Sequence, residues 1–69
     1  MIEIFKTDVQ KVSQANKILD LLNDYFPGNR INFDLQDCDK VLRIEGDRFR
    51  APEVIMLVKQ NGFTCNILD

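Results

Sequence analysis

The chain has 69 residues, which is enough for one domain, spanning residues 1–69, and too few for two. Nine basic and eleven acidic residues give a formal net charge of −2, so there is no electrostatic attraction to nucleic acid or to acidic membrane surfaces. The sequence contains no histidine, which excludes histidine-based acid–base catalysis, Cys–His nucleophile pairs and most zinc sites.

The first segment predicts a strand followed by a helix. Residues 1–7 alternate, with Ile2 and Ile4 on one face and Glu3 and Phe5 on the other, as in a β-strand. From residue 12 onward, apolar residues recur at the spacing of one helix face, and the Pro27-Gly28 step ends that helix. The residues of this face are Ala15, Ile18, Leu19, Leu22 and Phe26.

The middle of the chain predicts a β-hairpin. Residues 29–35 and 41–45 each alternate between apolar and polar side chains, and the polar tip 36–39 separates them. In the second of these strands, Leu42 and Ile44 oppose Arg43 and Glu45.

The last third predicts a second helix and a final strand. Pro52 fits the first helical turn, where its missing N–H is not needed, and Asn61-Gly62 is a helix stop. The strand follows at residues 63–67, where Phe63, Cys65 and Ile67 alternate with polar residues. The apolar helix face consists of Val54, Ile55, Leu57 and Val58.

The element order β-α-β-β-α-β predicts an α+β, ferredoxin-like fold. We expect a four-stranded antiparallel sheet of order 4-1-3-2 with two helices on one face. No apolar run reaches the roughly 18 residues needed to span a bilayer, and the N-terminal residues lack the pattern of a signal peptide. These features predict a soluble, cytoplasmic protein.

The residues that end the two helices resemble those of the heavy-metal-associated domain family. The first helix ends in Phe26-Pro27-Gly28, the hairpin follows at once, and the second helix ends in Asn61-Gly62-Phe63. The resemblance covers the whole chain and implies the same ferredoxin-like fold. In that family a CxxC motif at the start of the first helix binds Cu(I) or Zn(II) through two thiolates.

The metal-binding motif of that family is missing here. By the spacing of the family, its two cysteine positions fall on Val12 and Ala15, which carry no donor atom. The chain is therefore similar to a degenerate member, without the metal site and without a bound cofactor.

The two cysteines, Cys38 and Cys65, are the candidates for a replacement metal or redox pair. Strand order opposes this pairing, because strands 2 and 4 lie three spacings or roughly 14 Å apart, whereas a disulfide needs Cα atoms within about 7 Å. Cys65 shares its face with Phe63 and Ile67, which favours burial as a small apolar residue. Cys38 is interpreted as a residue of the hairpin turn.

Two charged groups are weaker candidates. Asp34, Asp37 and Asp39 could suggest a hard cation, but their spacing matches no calcium loop, and solvated hairpin charges explain them better. A second possibility is an anion site near the start of the second helix, but the negative charges of Glu53 and Asp47 would neutralise much of its positive field. The residues of that possible site are Arg30, Arg48 and Arg50.

The side of the sheet away from the helices is the favoured interaction surface. If Ile2 and Ile4 point toward the helices, then Phe5 points to solvent, with Val41 and Leu68 beside it. Such an apolar cluster on a charged sheet is typical of a contact with another protein or with a second copy of the chain.

The sequence thus predicts a non-enzymatic binding or adaptor module that acts through protein contacts, with a homodimer through the sheet face as one form. The alternative is a soft-metal (copper or zinc) or thiol-handling protein that uses Cys38 or Cys65. An enzyme is disfavoured because no nucleophile has a base beside it.

Overall fold

Six elements of secondary structure follow the predicted order in the structure, a computed structural model that describes residues 1–68. The βαββαβ succession confirms the predicted ferredoxin-like α+β fold. The elements are β1 (Ile2–Thr7), α1 (Val12–Tyr25), β2 (Arg30–Asp34), β3 (Val41–Glu45), α2 (Ala51–Gln60) and β4 (Cys65–Ile67).

The strands form one sheet in the order β2-β3-β1-β4, and each neighbouring pair is antiparallel. This is the predicted order counted from the other edge. In the centre of the sheet Phe5 lies opposite Leu42, and Leu42 lies opposite Phe33 on its other side. The two outer strands are β2 and β4, and each has one neighbour within the sheet.

Both helices form where the spacing of apolar residues predicts them. Ala15, Ile18 and Leu22 are buried on α1, and Val54 and Val58 are buried on α2. Their stripes lie against one side of the sheet, and all except Ala15 belong to the hydrophobic core, together with Phe5, Leu42, Ile44, Phe49 and Cys65. Pro52 lies in the first turn of α2, as expected.

The predicted orientation of β1 is wrong. Phe5 has no exposed surface and lies in the core on the helix side, whereas Ile2 is 52 % exposed. Because side chains alternate along a strand, Ile2 and Ile4 share the side that faces away from the helices. The period was correct, but burial of the large Phe5 ring beside Leu42 outweighs burial of two smaller side chains at this position.

Two side chains at strand ends join the loops to the sheet: Asn29 directly before β2, and Thr7 as the last residue of β1. Asn29 Nδ2 donates to the carbonyl oxygens of Phe26 (2.8 Å) and Arg48 (3.1 Å), and its Oδ1 accepts from the Arg48 N–H (3.2 Å). The buried Thr7 hydroxyl donates to the Lys40 carbonyl oxygen (2.6 Å) and accepts from the Val9 N–H (3.3 Å). These contacts fix both ends of the sheet.

Candidate functional site

One side of the sheet is covered by the helices, and the opposite side, which we call the open face, is not. Strand register assigns its members, because residues directly opposite each other on neighbouring strands point the same way. Ile4 opposite Arg43, and Arg43 opposite Asn32, define its middle row. The open face consists of Arg30, Asn32 and Asp34 from β2, Val41, Arg43 and Glu45 from β3, Ile2, Ile4 and Lys6 from β1, and Asn66 and Leu68 from the β4 end.

An apolar patch lies on the β1–β4 half of the open face. It consists of Ile2, which is 52 % exposed, with the half-buried Ile4 and Leu68. The Leu68 N–H donates to the Ile4 carbonyl oxygen at 2.9 Å, which holds the two side chains next to each other. Three aliphatic side chains therefore form one continuous surface without a charged residue between them.

Of the predicted surface residues, Leu68 lies in this apolar patch, Val41 lies beneath the surface, and Phe5 is excluded. The Val41 side chain lies on the open face, because the next residue, Leu42, faces the core and side chains alternate along a strand. Only 4 % of Val41 is exposed. Next to it, Lys6 Nζ and Asp39 Oδ1 form an ion pair at 3.6 Å. Val41 therefore supports the face from below and offers little surface for contact.

Arg43 carries the central charge of the open face. Its Nη1 donates to Asn32 Oδ1 at 3.2 Å, and within residues 1–68 no carboxylate lies within ion-pair distance of its guanidinium. The other basic residues on this face, Lys6 and Arg30, each have an acidic neighbour, with Arg30 Nη1 at 3.9 Å from Glu45 Oε1. The half-buried Arg43 thus borders the apolar patch, and its guanidinium has N–H groups that can donate hydrogen bonds to a carboxylate.

The two cysteines are free thiols in different environments. Cys65 is fully buried in the core, as predicted, and this burial raises the pKa of its thiol to about 11, although the positive charge of Lys59 opposes the rise. Cys38 is exposed in the hairpin turn. The burial and protonation of Cys65 disfavour a metal or redox centre shared with Cys38, and such a centre stays a prediction.

The acidic residues at the hairpin tip shape the turn. Asp34 Oδ1 accepts the Gln36 N–H at 3.2 Å, and Asp37 Oδ1 accepts the Asp39 N–H at 2.9 Å. Ligand atoms of Asp37, Cys38 and Asp39 lie within 4.8 Å of one another, but Asp39 also pairs with Lys6. Turn formation and charge pairing account for this cluster.

The three arginines of the possible anion site belong to neighbouring segments. Arg30 pairs with Glu45 on the open face, and the aliphatic stem of Arg48 passes beside Gly28. Arg50 precedes the first turn of α2, which also contains the acidic Glu53. An anion site here stays a prediction, and the nearby carboxylates reduce the positive field on which it depends.

The start of α1 holds the positions that carry thiolates in the family resemblance. Val12 is 67 % exposed and Ala15 is buried, and neither has a donor atom. The side chain that organises this loop is Gln14, whose Oε1 accepts the backbone N–H groups of Lys11 (3.1 Å) and Gln10 (3.3 Å). A helix cap occupies the place where a metal loop would be expected.

Sequence reasoning missed Ile2 and Ile4 as candidate site residues because it assigned β1 the wrong orientation. Arg43 was on the expected side of β3, but the sequence does not show that its guanidinium lacks a carboxylate partner within residues 1–68. The available signal was the cross-strand partner: a phenylalanine on a central strand pairs best with the most apolar face of the next strand, which here carries Leu42 and Ile44.

Comparison with protein-family models, with curated proteins and with solved structures finds no match to this chain. The similarity to heavy-metal-associated domains therefore rests on the sequence features alone. Within the described residues, none of the helices combines the length and the hydropathy that crossing a membrane requires.

Proposed function

We propose that this chain is a non-enzymatic, cytoplasmic module that binds a partner protein through the open face of its sheet. The observation that carries the proposal is the juxtaposition of the apolar patch (Ile2, Ile4 and Leu68) with the half-buried Arg43, which has no carboxylate partner in residues 1–68. Contiguous apolar surface next to an unsatisfied charge is typical of a contact surface.

The chemistry of this surface favours a partner segment with aliphatic or aromatic side chains beside an aspartate or glutamate. The apolar side chains would cover Ile2 and Leu68, and the carboxylate would accept hydrogen bonds from the Arg43 guanidinium. Once the carboxylate and the Arg43 guanidinium are removed from water, the charge-assisted hydrogen bond between them is stronger than one on an open surface.

The size of the open face suits a compact partner segment. Four strands of about five residues cover roughly 300 Å² in projection. A single helix or extended segment fits this footprint.

The remaining parts of the proposal are supported by residue chemistry. The chain lacks histidine, and carboxylates instead of an imidazole lie beside its one exposed thiol, Cys38, so a binding role is favoured over catalysis. Two free thiols are typical of a reducing compartment. We retain the interpretation of a degenerate heavy-metal-associated scaffold, in which the fold persists and the metal loop is replaced by the Gln14 cap.

The test is a selection from a random peptide library displayed on phage, with this protein immobilised. We expect enriched peptides to combine apolar residues with an acidic one, and a synthetic copy to shift the amide NMR signals of β1 and β4. Enriched peptides that shift α1 and α2 instead, or a library that yields no binder, would overturn the proposal.

The chain offers a matched pair of control variants for this experiment. Ile2 and Met56 are exposed to similar extents, 52 % and 54 %, but Met56 lies on α2. We expect Ile2→Glu to abolish peptide binding and Met56→Glu to preserve it. Arg43→Gln should weaken the binding of peptides that carry a carboxylate and leave the binding of their amide counterparts unchanged.

A further inference from the structure

The edge strand β2 has backbone groups that the sheet does not use. The Gly46 N–H donates to the Met1 carbonyl oxygen (2.8 Å), so the backbone N–H and C=O groups of even-numbered residues in β3 point toward β1. Backbone groups of successive residues point alternately to the two sides of an antiparallel strand. The backbone groups of Arg43 and Glu45 therefore point toward β2. The N–H and C=O groups of Ile31 and Phe33 point outward from the free edge of β2.

The sequence of β2, Arg-Ile-Asn-Phe-Asp, is complementary to itself in the antiparallel direction. A two-fold axis at Asn32 places Arg30 opposite Asp34 of a second copy, and Asp34 opposite its Arg30. The same axis places Ile31 opposite Phe33 of the second copy, twice. Every pair is matched in character: opposite charges, apolar side chains, and amide with amide.

The hydrogen-bond geometry selects this register. With the axis at Asn32, the outward-pointing groups of Ile31 meet those of Phe33 from the second copy, which forms four backbone hydrogen bonds. A shift of one residue would bring outward-pointing groups against inward-pointing ones. A shift of two residues would place Arg30 or Asp34 opposite Asn32 and lose the charge pairs.

A groove beside the edge enlarges this contact. Val12 and the half-buried Leu19 of α1, with Phe33 and Leu35, line a depression of about 360 Å³ along β2. Because α1 packs beside β2, the two-fold operation brings the grooves of the two copies toward each other. The exposed Val12, which is 67 % accessible, then becomes part of an interface.

We propose that two copies of this chain pair through β2 and form a continuous eight-stranded antiparallel sheet about a two-fold axis at Asn32. Arg30, Asn32 and Asp34 lie at the border of the open face, but the contact runs along the edge of β2 and does not include the apolar patch, so the dimer does not depend on the binding role proposed above. Pairing also covers the longer of the two exposed strand edges, since β4 has three residues and β2 has five.

The test is a charge exchange followed by sedimentation equilibrium over a concentration series. Arg30→Asp and Asp34→Arg each place like charges opposite each other, and we expect each to raise the dissociation constant about tenfold or more. The double variant Arg30→Asp/Asp34→Arg restores both pairs and should restore dimer formation. Lys17→Asp, which changes an exposed charge on α1, should leave the dissociation constant unchanged.

Amide hydrogen exchange of the native protein provides a second measurement that requires no substitution. We expect the amides of Ile31 and Phe33 to be protected at concentrations where the dimer dominates and to exchange rapidly in Arg30→Asp. A chain that remains monomeric throughout the series would overturn the proposal. So would a dimer that survives both single exchanges, or one in which these two amides exchange freely.

Discussion

Ile4 on β1 and Arg43 on β3 lie directly opposite each other at the centre of the open face. The pair combines an aliphatic side chain and a guanidinium whose only hydrogen bond in residues 1–68 is to the Asn32 side chain. Under the proposed binding role, this arrangement favours a partner segment that offers both an apolar side chain and a carboxylate.

The reversed orientation of β1 has a direct consequence for stability. We expect Phe5→Ala to lower the free energy of unfolding by about 3–5 kcal/mol, because the ring is fully buried in the core. Ile2→Ala, at a half-exposed position on the same strand, should change it by less than about 0.5 kcal/mol. Urea unfolding followed by circular dichroism measures both.

A small domain tolerates the first change poorly, because total stabilities of roughly 0.05–0.15 kcal/mol per residue leave little reserve. Phe5→Leu, which retains most of the buried volume, provides an intermediate point if Phe5→Ala does not fold. Equal effects of Ile2→Ala and Phe5→Leu would contradict the assigned orientation.

The buried Thr7 hydroxyl connects β1 to the end of the hairpin. Thr7→Val keeps the shape of the side chain but leaves the Lys40 carbonyl and the Val9 N–H without this partner. We expect a loss of about 1–3 kcal/mol in the free energy of unfolding. Thr7→Ser retains the hydroxyl and should lose less, and a larger loss for serine than for valine would argue against the hydrogen bonds as the cause.

Gly46 combines a positive backbone dihedral angle with close contact to a neighbour. Its φ is +148°, and an added Cβ would overlap Asn29 Oδ1. Gly62 has a φ of +92° but no atom within 4 Å of such a Cβ, so Gly62→Ala tests backbone strain alone, at about 1–2 kcal/mol. We expect Gly46→Ala to destabilise the protein more than Gly62→Ala in thermal unfolding.

The part due to overlap can be separated by a second substitution. Asn29→Ala removes the atom that the new Cβ would meet, so the double variant with Gly46→Ala should lose less stability than the sum of the single changes. Additive losses would show that backbone strain alone explains the Gly46 effect.

Cys65 makes stability depend on pH in the alkaline range. Burial raises the pKa of its thiol from 9.0 to about 11, so between these values the unfolded chain loses a proton that the folded protein keeps. The contribution to stability is therefore complete below pH 9 and falls as the pH rises toward 11. Urea unfolding at stepped pH values measures this decline.

Two cysteine variants control this experiment. Cys65→Ala should show a weaker decline between pH 9 and 11 than the parent protein, whereas Cys38→Ala should show the same decline. With a thiol reagent at neutral pH, Cys38 should react at once and Cys65 only on unfolding. Rapid modification of both thiols in the folded protein would contradict the burial of Cys65.

The sequence predicted the elements and the strand order because periodicity and stop signals are local. The spacing of Ala15, Ile18 and Leu22 and the Pro27-Gly28 stop required no knowledge of the rest of the chain. The orientation of β1 required such knowledge, because alternation alone does not distinguish Ile2 and Ile4 from Phe5 as the buried set. Burial of Val9 and Phe49 within loops also depends on tertiary packing.

Both helices described in residues 1–68 lie on one side of the sheet, and this has a consequence for the proposed β2-paired dimer. Its two-fold axis would run perpendicular to the sheet, so both open faces would point in the same direction. The two copies of β1 are separated by five strand spacings, roughly 24 Å. A partner with two recognition segments on a linker of that reach would bind bivalently, and avidity would increase its affinity without any new contact.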